Sequence, residues 1–117
     1  SGNAFGVKTD GTLWAWGRNQ EGELGLNSEV NYSSPMQVGT DTDWNTSIGS
    51  VTGYGNRWSA AIKQDGTLWT WGYGDFGTLG RNVPNNTKYS SPTQVPGVWT
   101  QIQNVQENYQ AIAMRAV

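Results

Sequence analysis

Lys8-Thr-Asp-Gly-Thr-Leu-Trp-Ala-Trp-Gly17 is written a second time as Lys63-Gln-Asp-Gly-Thr-Leu-Trp-Thr-Trp-Gly72, 55 positions later. A repeat at this period predicts an array of supersecondary units, each of which buries its apolar faces against a stacked neighbour. The similarity runs on past this core. Each Trp-Gly leads into a glycine-rich loop, Arg18-Asn-Gln-Glu-Gly-Glu-Leu-Gly25 and Tyr73-Gly-Asp-Phe-Gly-Thr-Leu-Gly80. Tyr32-Ser-Ser-Pro-Met-Gln-Val38 and Tyr89-Ser-Ser-Pro-Thr-Gln-Val95 follow, and a tryptophan, Trp44 or Trp99, opens the last segment. A third copy begins at Tyr109, where Ala113-Met-Arg115 aligns with Ala61-Ile-Lys63. The expected organisation is a first repeat over 1–51, a second over 52–106, and the opening strand of a third over 107–117.

Within one repeat, Asp10-Gly11 and Asp65-Gly66 separate short runs of strand-forming residues, which predicts a hairpin with a two-residue type I′ turn. Along the second strand Thr12, Trp14 and Trp16 share one face and Leu13, Ala15 and Gly17 the other. Both faces are apolar or small, so the strand is expected to be covered on both sides. Trp14, Trp16, Trp69 and Trp71 are accordingly read as core. Pro35 and Pro92 are expected to mark the entrance to an outer strand, where a missing N–H donor is tolerated.

Sixteen glycines, seven tryptophans and only 14% charged residues fit an all-β chain of short strands and tight turns. A net charge of −2 provides no basic surface for a phosphate backbone, so nucleic acid is not an expected partner. No apolar run is long enough for a membrane-spanning helix. With no histidine or cysteine, nucleophilic catalysis lacks its usual base and metal binding is restricted to oxygen ligands. Asp41 and Asp43 are the nearest approach to an oxygen-ligand pair, and Glu21 with Glu23 the nearest to a carboxylate pair. The second repeat replaces the latter with Phe76 and Thr78. Neither catalysis nor a cofactor is expected. Asn31, Asn45 and Asn85 open Asn-x-Ser/Thr triplets, which a chain this rich in Asn, Ser and Thr yields by chance.

The pattern Asp-Gly-Thr-Leu-Trp-x-Trp-Gly, then Gly-x-Leu-Gly, then Ser-Pro-x-Gln-Val, resembles the repeat of the regulator of chromosome condensation family. The resemblance implies β-propeller blades, usually seven in a ring. Asn19 keeps the family's asparagine after Trp-Gly-x, whereas its counterpart is Gly74. The family's glutamine before Leu-Gly is Glu23 and Thr78 here. Eukaryotic members act as exchange factors on a small GTPase or bind chromatin, and one bacterial relative inhibits β-lactamases. The Trp-rich wording is similar to repeats of bacteria and bacteriophages, which implies an extracellular or virion surface.

The resulting expectation is a non-catalytic binding or assembly module on a viral or bacterial surface structure. A purely architectural capsid or tail decoration, and a regulatory propeller that inhibits or exchanges, are the alternatives. Partners are expected to be proteins, further copies completing the ring, or a glycan. Arg18, Asn19, Glu21, Glu23, Tyr73, Asp75 and Phe76 are the candidate recognition residues in the loops, with Tyr54 and Trp58 as further non-repeating aromatics, of which Trp58 is favoured as structural. Two tryptophan-lined ends imply a closed ring, built by a longer chain or by identical chains, three of which would give six blades.

Overall fold

The computed structural model describes residues 2–46, 51–54, 58–74, 87–97, 99–103 and 113–116. The described elements are nine β-strands: β1 (Asn3–Val7), β2 (Leu13–Gly17), β3 (Tyr32–Gln37), β4 (Val51–Tyr54), β5 (Trp58–Ile62), β6 (Leu68–Gly74), β7 (Thr87–Val95), β8 (Trp99–Gln103) and β9 (Ala113–Ala116). They form three antiparallel sheets of order β1-β2-β3, β4-β5-β6-β7 and β8-β9. Strands β1 to β3 correspond to β5 to β7, and β8 pairs with β9, as β4 pairs with β5, to join the end of one repeat to the first strand of the next. Successive sheets meet through β1 beside β4 and β5 beside β8.

Each hairpin turns differently from the two-residue form that Asp-Gly suggests. Gly11 N–H donates to the Lys8 carbonyl at 2.9 Å, and Lys8 N–H to the Thr12 carbonyl at 2.9 Å. The loop is therefore three residues, Thr9-Asp10-Gly11, and only its last residue has positive φ, at 85°. A type I′ turn needs positive φ at both central residues, which would strain Asp10, whereas a β-turn followed by a left-handed glycine does not. Lys63 to Thr67 repeat the arrangement, with Gly66 at φ 87°.

The three-residue loop frees the aspartate for a different task. Asp10 Oδ1 accepts both the main-chain N–H of Thr12 at 3.1 Å and its hydroxyl at 2.7 Å. The same hydroxyl then accepts the indole N–H of Trp14 at 2.8 Å. Asp65, Thr67 and Trp69 form the identical chain at 3.0, 2.6 and 2.8 Å. Thus Asp-Gly-Thr-Leu-Trp is a local hydrogen-bond relay that fixes the first indole of each pair. Bonding to Thr12 and Thr67 holds the Asp10 and Asp65 carboxyls below their ordinary 3.8.

Pro35 and Pro92 lie inside β3 and β7, not at their entrances. In each outer strand the ladder is irregular opposite the second tryptophan, between Ala15 and Gly17 and between Thr70 and Gly72. The Ser-Ser-Pro segment supplies the extra residues of that bulge, where a missing donor breaks no ladder bond.

The core lies between the first and second sheets. Leu13 and Ala15 of β2, Leu24 of the following loop, Val38 and Trp44 surround Ala61 and Trp71. Trp71 is fully buried and meets Phe5 and Trp44 edge to face, with ring centroids 6.0 and 6.3 Å away. Burying about 200 Å² of indole at ~25 cal/mol per Å² contributes up to roughly 5 kcal/mol. The single residue Trp71 therefore ties the two repeats together.

Candidate docking surface

The 55-residue period allows the same face to be compared in two settings. On the second sheet it carries Ser59, Ala61, Lys63, Trp69 and Trp71, and the first repeat covers it. On the first sheet its counterparts are Ala4, Gly6, Lys8, Trp14 and Trp16. There Trp14 and Trp16 are half-buried and Lys8 is exposed, around an apolar groove that also takes in Val7 and Pro35. The opposite face of β2 is shut, with Leu13 and Ala15 wholly buried. Sequence patterning predicts cover on both sides of this strand, and the described residues supply it on one. Trp69 is half-buried and packs edge to face on Trp44 at 6.4 Å.

Four groups of contacts close the covered face. The Glu23 carbonyl accepts the indole N–H of Trp71 at 2.8 Å and the Ser59 hydroxyl at 2.6 Å. Gly25, at φ 74°, presses its backbone against Trp71, because a Cβ there would stand 2.9 Å from the indole nitrogen. Asn27 N–H donates to the Ser90 carbonyl at 2.6 Å, and Lys88 reaches Glu21 at 3.4 Å and Glu29 at 3.8 Å. Finally, Lys63 pairs with Asp41 at 2.7 Å and Asp43 at 3.6 Å.

The loop of 18–31 is therefore a joint between sheets, and the residues suggested for recognition fall differently along it. Asn19 is fully buried: its amide donates to the carbonyls of Ser28 at 3.0 Å and Val30 at 2.9 Å, and its oxygen accepts the Leu24 N–H at 2.9 Å. Glu23 is also fully buried, with one carboxylate oxygen accepting the Glu21 N–H at 2.7 Å and the other 3.4 Å from Arg18. Burial raises its carboxyl above the ordinary 4.5. Both side chains turn inward because the main-chain groups of Glu21, Leu24, Ser28 and Val30 take them as partners, beside the main-chain bonds from Gly22 to Asn19 and from Gly25 to Gly22. Arg18 stays partly exposed and also donates to Gln20 at 2.7 Å, while Glu21 faces Lys88.

In the second repeat, Tyr73 is part of β6 and paired in register with Lys88, so it is a strand residue. Asp75 and Phe76 lie outside the described residues. Trp58, a non-repeating aromatic for which a structural role is the favoured expectation, is buried at 2% exposure. Tyr54 falls in β4. Asp41 and Asp43 neutralise Lys63, and among the described residues no group of three potential ligands could hold a metal ion.

The inter-repeat contacts escaped sequence reading because their partners are distant. The repeated Lys8 and Lys63 were one available signal, and the Asp-Thr-Asp-Trp run ahead of the second repeat was another.

Comparison with known proteins fits this geometry. Residues 10–52 and 65–107 match the model of the Regulator of chromosome condensation (RCC1) repeat. The X-linked retinitis pigmentosa GTPase regulator homolog of Caenorhabditis elegans is 37% identical over 92 residues, covering 79% of this chain and 6% of that protein. Human WBSCR16 superposes with a TM-score of 0.71 at 21% identity, over 87% of this chain and 26% of its own. Prp20p of Saccharomyces cerevisiae, whose structure was described with its binding to Gsp1p and histones, gives 0.67 at 19% identity, over 87% and 27%. The chain thus spans 6% of the curated relative and about a quarter of each solved neighbour. With an all-β architecture, two matched repeats and an Asp-Thr-Trp hydrogen-bond relay that recurs at the repeat period, the chain belongs to the regulator of chromosome condensation repeat family of β-propellers.

Proposed function

We propose that this chain is an arc of a β-propeller that works without catalysis, as a protein-binding and assembly module. One observation carries the reading: the Trp69/Trp71 face is closed by the preceding repeat through main-chain, indole and ion-pair contacts, so each repeat is built to seat a protein neighbour on this face. An apolar aromatic face of this kind is a favourable anchor site for a protein edge. The binding of Gsp1p and histones described for Prp20p supports a protein partner over a small-molecule substrate. The relatives named above are eukaryotic and lend no support to a bacteriophage virion setting, and nothing in the groove favours a glycan.

Placing a second copy of residues 1–55 ahead of Ser1 continues the repeat period and tests the reading. The added repeat is expected to shield Trp14 and Trp16 from acrylamide quenching and raise the unfolding midpoint. Unchanged quenching together with an unchanged midpoint would show that this face is not an assembly surface.

A further inference from the structure

We propose that the joint between repeats selects its neighbour by charge. Glu21 and Glu29 at one end of the first repeat, and Asp41 and Asp43 at the other, accept a following repeat that brings an ammonium to both ends. The inference rests on the binding-module reading and adds which kind of repeat fits the joint.

The second repeat meets this requirement with two lysines. Lys63 follows β5 at the hairpin end, where Ile62 pairs with Leu68, whereas Lys88 pairs in register with Tyr73 near the far end of β6. The five residue steps from Leu68 to Tyr73 set these ends about 16 Å apart. Lys63 reaches Asp41 at 2.7 Å and Asp43 at 3.6 Å, and Lys88 reaches Glu21 at 3.4 Å and Glu29 at 3.8 Å. All four carboxylates belong to the first repeat and both ammonium groups to the second, so the joint has a direction.

Between the two clusters lies Trp71, fully buried, with its indole N–H on the Glu23 carbonyl. The Glu23 carboxylate itself is engaged within its own repeat, by the Glu21 N–H and Arg18. The joint thus has an apolar middle and a charged rim, where the Lys88 side chain is 41% exposed and that of Asp41 56%. Ion pairs this exposed add little net stability. Their effect is discrimination: each cluster sets two carboxylates against one ammonium, so a neighbour without the ammonium leaves like charges side by side, and one with an acid there adds a third.

The match is particular to this order of repeats. Where the first repeat has Glu21, Glu29 and Asp41-Thr-Asp43, the second has Phe76, an acid-free run from Arg81 to Lys88, and Pro96-Gly-Val98. At the positions of Lys63 and Lys88 the first repeat has Lys8 and Asn31. The two repeats are therefore not interchangeable, and a ring of identical chains would contain joints that lack this match.

The test follows exchange of the Trp71 indole proton with water at low salt, in the full chain labelled with nitrogen-15. Lys63→Glu and Lys88→Glu each reverse one ammonium, and Lys63→Gln and Lys88→Gln are uncharged controls of matching size. Each reversal is expected to speed exchange at least about threefold beyond its control, and salt at about 1 M to remove that difference. Asp41→Lys with Asp43→Lys in the Lys63→Glu chain, or Glu21→Lys with Glu29→Lys in the Lys88→Glu chain, is expected to return exchange to within about threefold of the parent. Equal exchange in the Glu and Gln variants, or swapped chains no better protected than reversed ones, would overturn the selection. The binding-module reading would survive that result, since it falls only if the added repeat of residues 1–55 leaves quenching and midpoint unchanged. Should Lys63→Glu prevent folding, the more exposed Lys88 series decides the question by the same comparisons.

Discussion

The indole N–H of Trp71 donates to the carbonyl of Glu23 at 2.8 Å, joining residues 48 positions apart across the boundary between two repeats. The Ser59 hydroxyl shares that carbonyl at 2.6 Å. Trp71→Phe is expected to lower stability by about 2–3 kcal/mol, through lost volume and a lost donor, and Ser59→Ala by about 1 kcal/mol. Because the two donors share one acceptor, urea unfolding of the double variant is expected to show non-additivity of at least ~0.5 kcal/mol.

Gly25 and Gly39 separate backbone conformation from packing. Both have positive φ, 74° and 65°, but a Cβ on Gly25 would meet Trp71 at 2.9 Å while one on Gly39 would meet nothing within 4 Å. Gly39→Ala is expected to cost about 1 kcal/mol from conformation alone, and Gly25→Ala at least ~2 kcal/mol because Trp71 cannot withdraw from a packed core. Equal losses in thermal unfolding would contradict the contact.

Glu23 occupies a position where the family's usual residue is glutamine, and burial pushes its carboxyl up. The folded state binds this proton more tightly than the unfolded state. Stability from Glu23 is therefore greatest below the ordinary value of 4.5 and is lost as pH rises through the raised pKa. Glu23→Gln is expected to gain roughly 0.5–1 kcal/mol at pH 7 and to flatten this part of the pH profile. Asp10 and Asp65 act in the opposite sense: their contribution is present above 3.8 and is lost as pH falls through their lowered values. Thermal midpoints measured from pH 3 to 8 for the parent and Glu23→Gln chains check both slopes.

Two lysines at equivalent positions are predicted to respond unequally. Lys63→Met removes a nearly buried cation from two carboxylates and two indoles, and is expected to cost about 1–2 kcal/mol. Lys8→Met removes an exposed cation and is expected to cost under ~0.5 kcal/mol. The Lys63 loss is expected to shrink as salt is added, since its carboxylates are half exposed.

The repeat, the strand patterning and the hairpins were legible because each is local: a 55-residue shift, a period of two, an Asp-Gly pair. Turn type was less so, since Asp-Gly serves a three-residue loop as readily when the aspartate can bond Thr12. The role of the loop after Trp-Gly was not legible. A buried Asn19 and Glu23 read like surface polar residues until Leu24, Ser28 and Val30 close around them. The Lys63 site likewise joins Asp41 and Trp44 to a lysine in the next repeat, a relationship no single-repeat pattern contains.

Exchange of the indole N–H protons with water, followed by nuclear magnetic resonance, compares the two equivalent faces within one molecule. The indole proton of Trp71 is expected to be strongly protected, opening only with separation of the repeats, and that of Trp16 to exchange rapidly from its open groove. Similar protection of both would mean that the contacts of the preceding repeat are not what shields Trp71, and would contradict the assignment of this face as the joint between repeats.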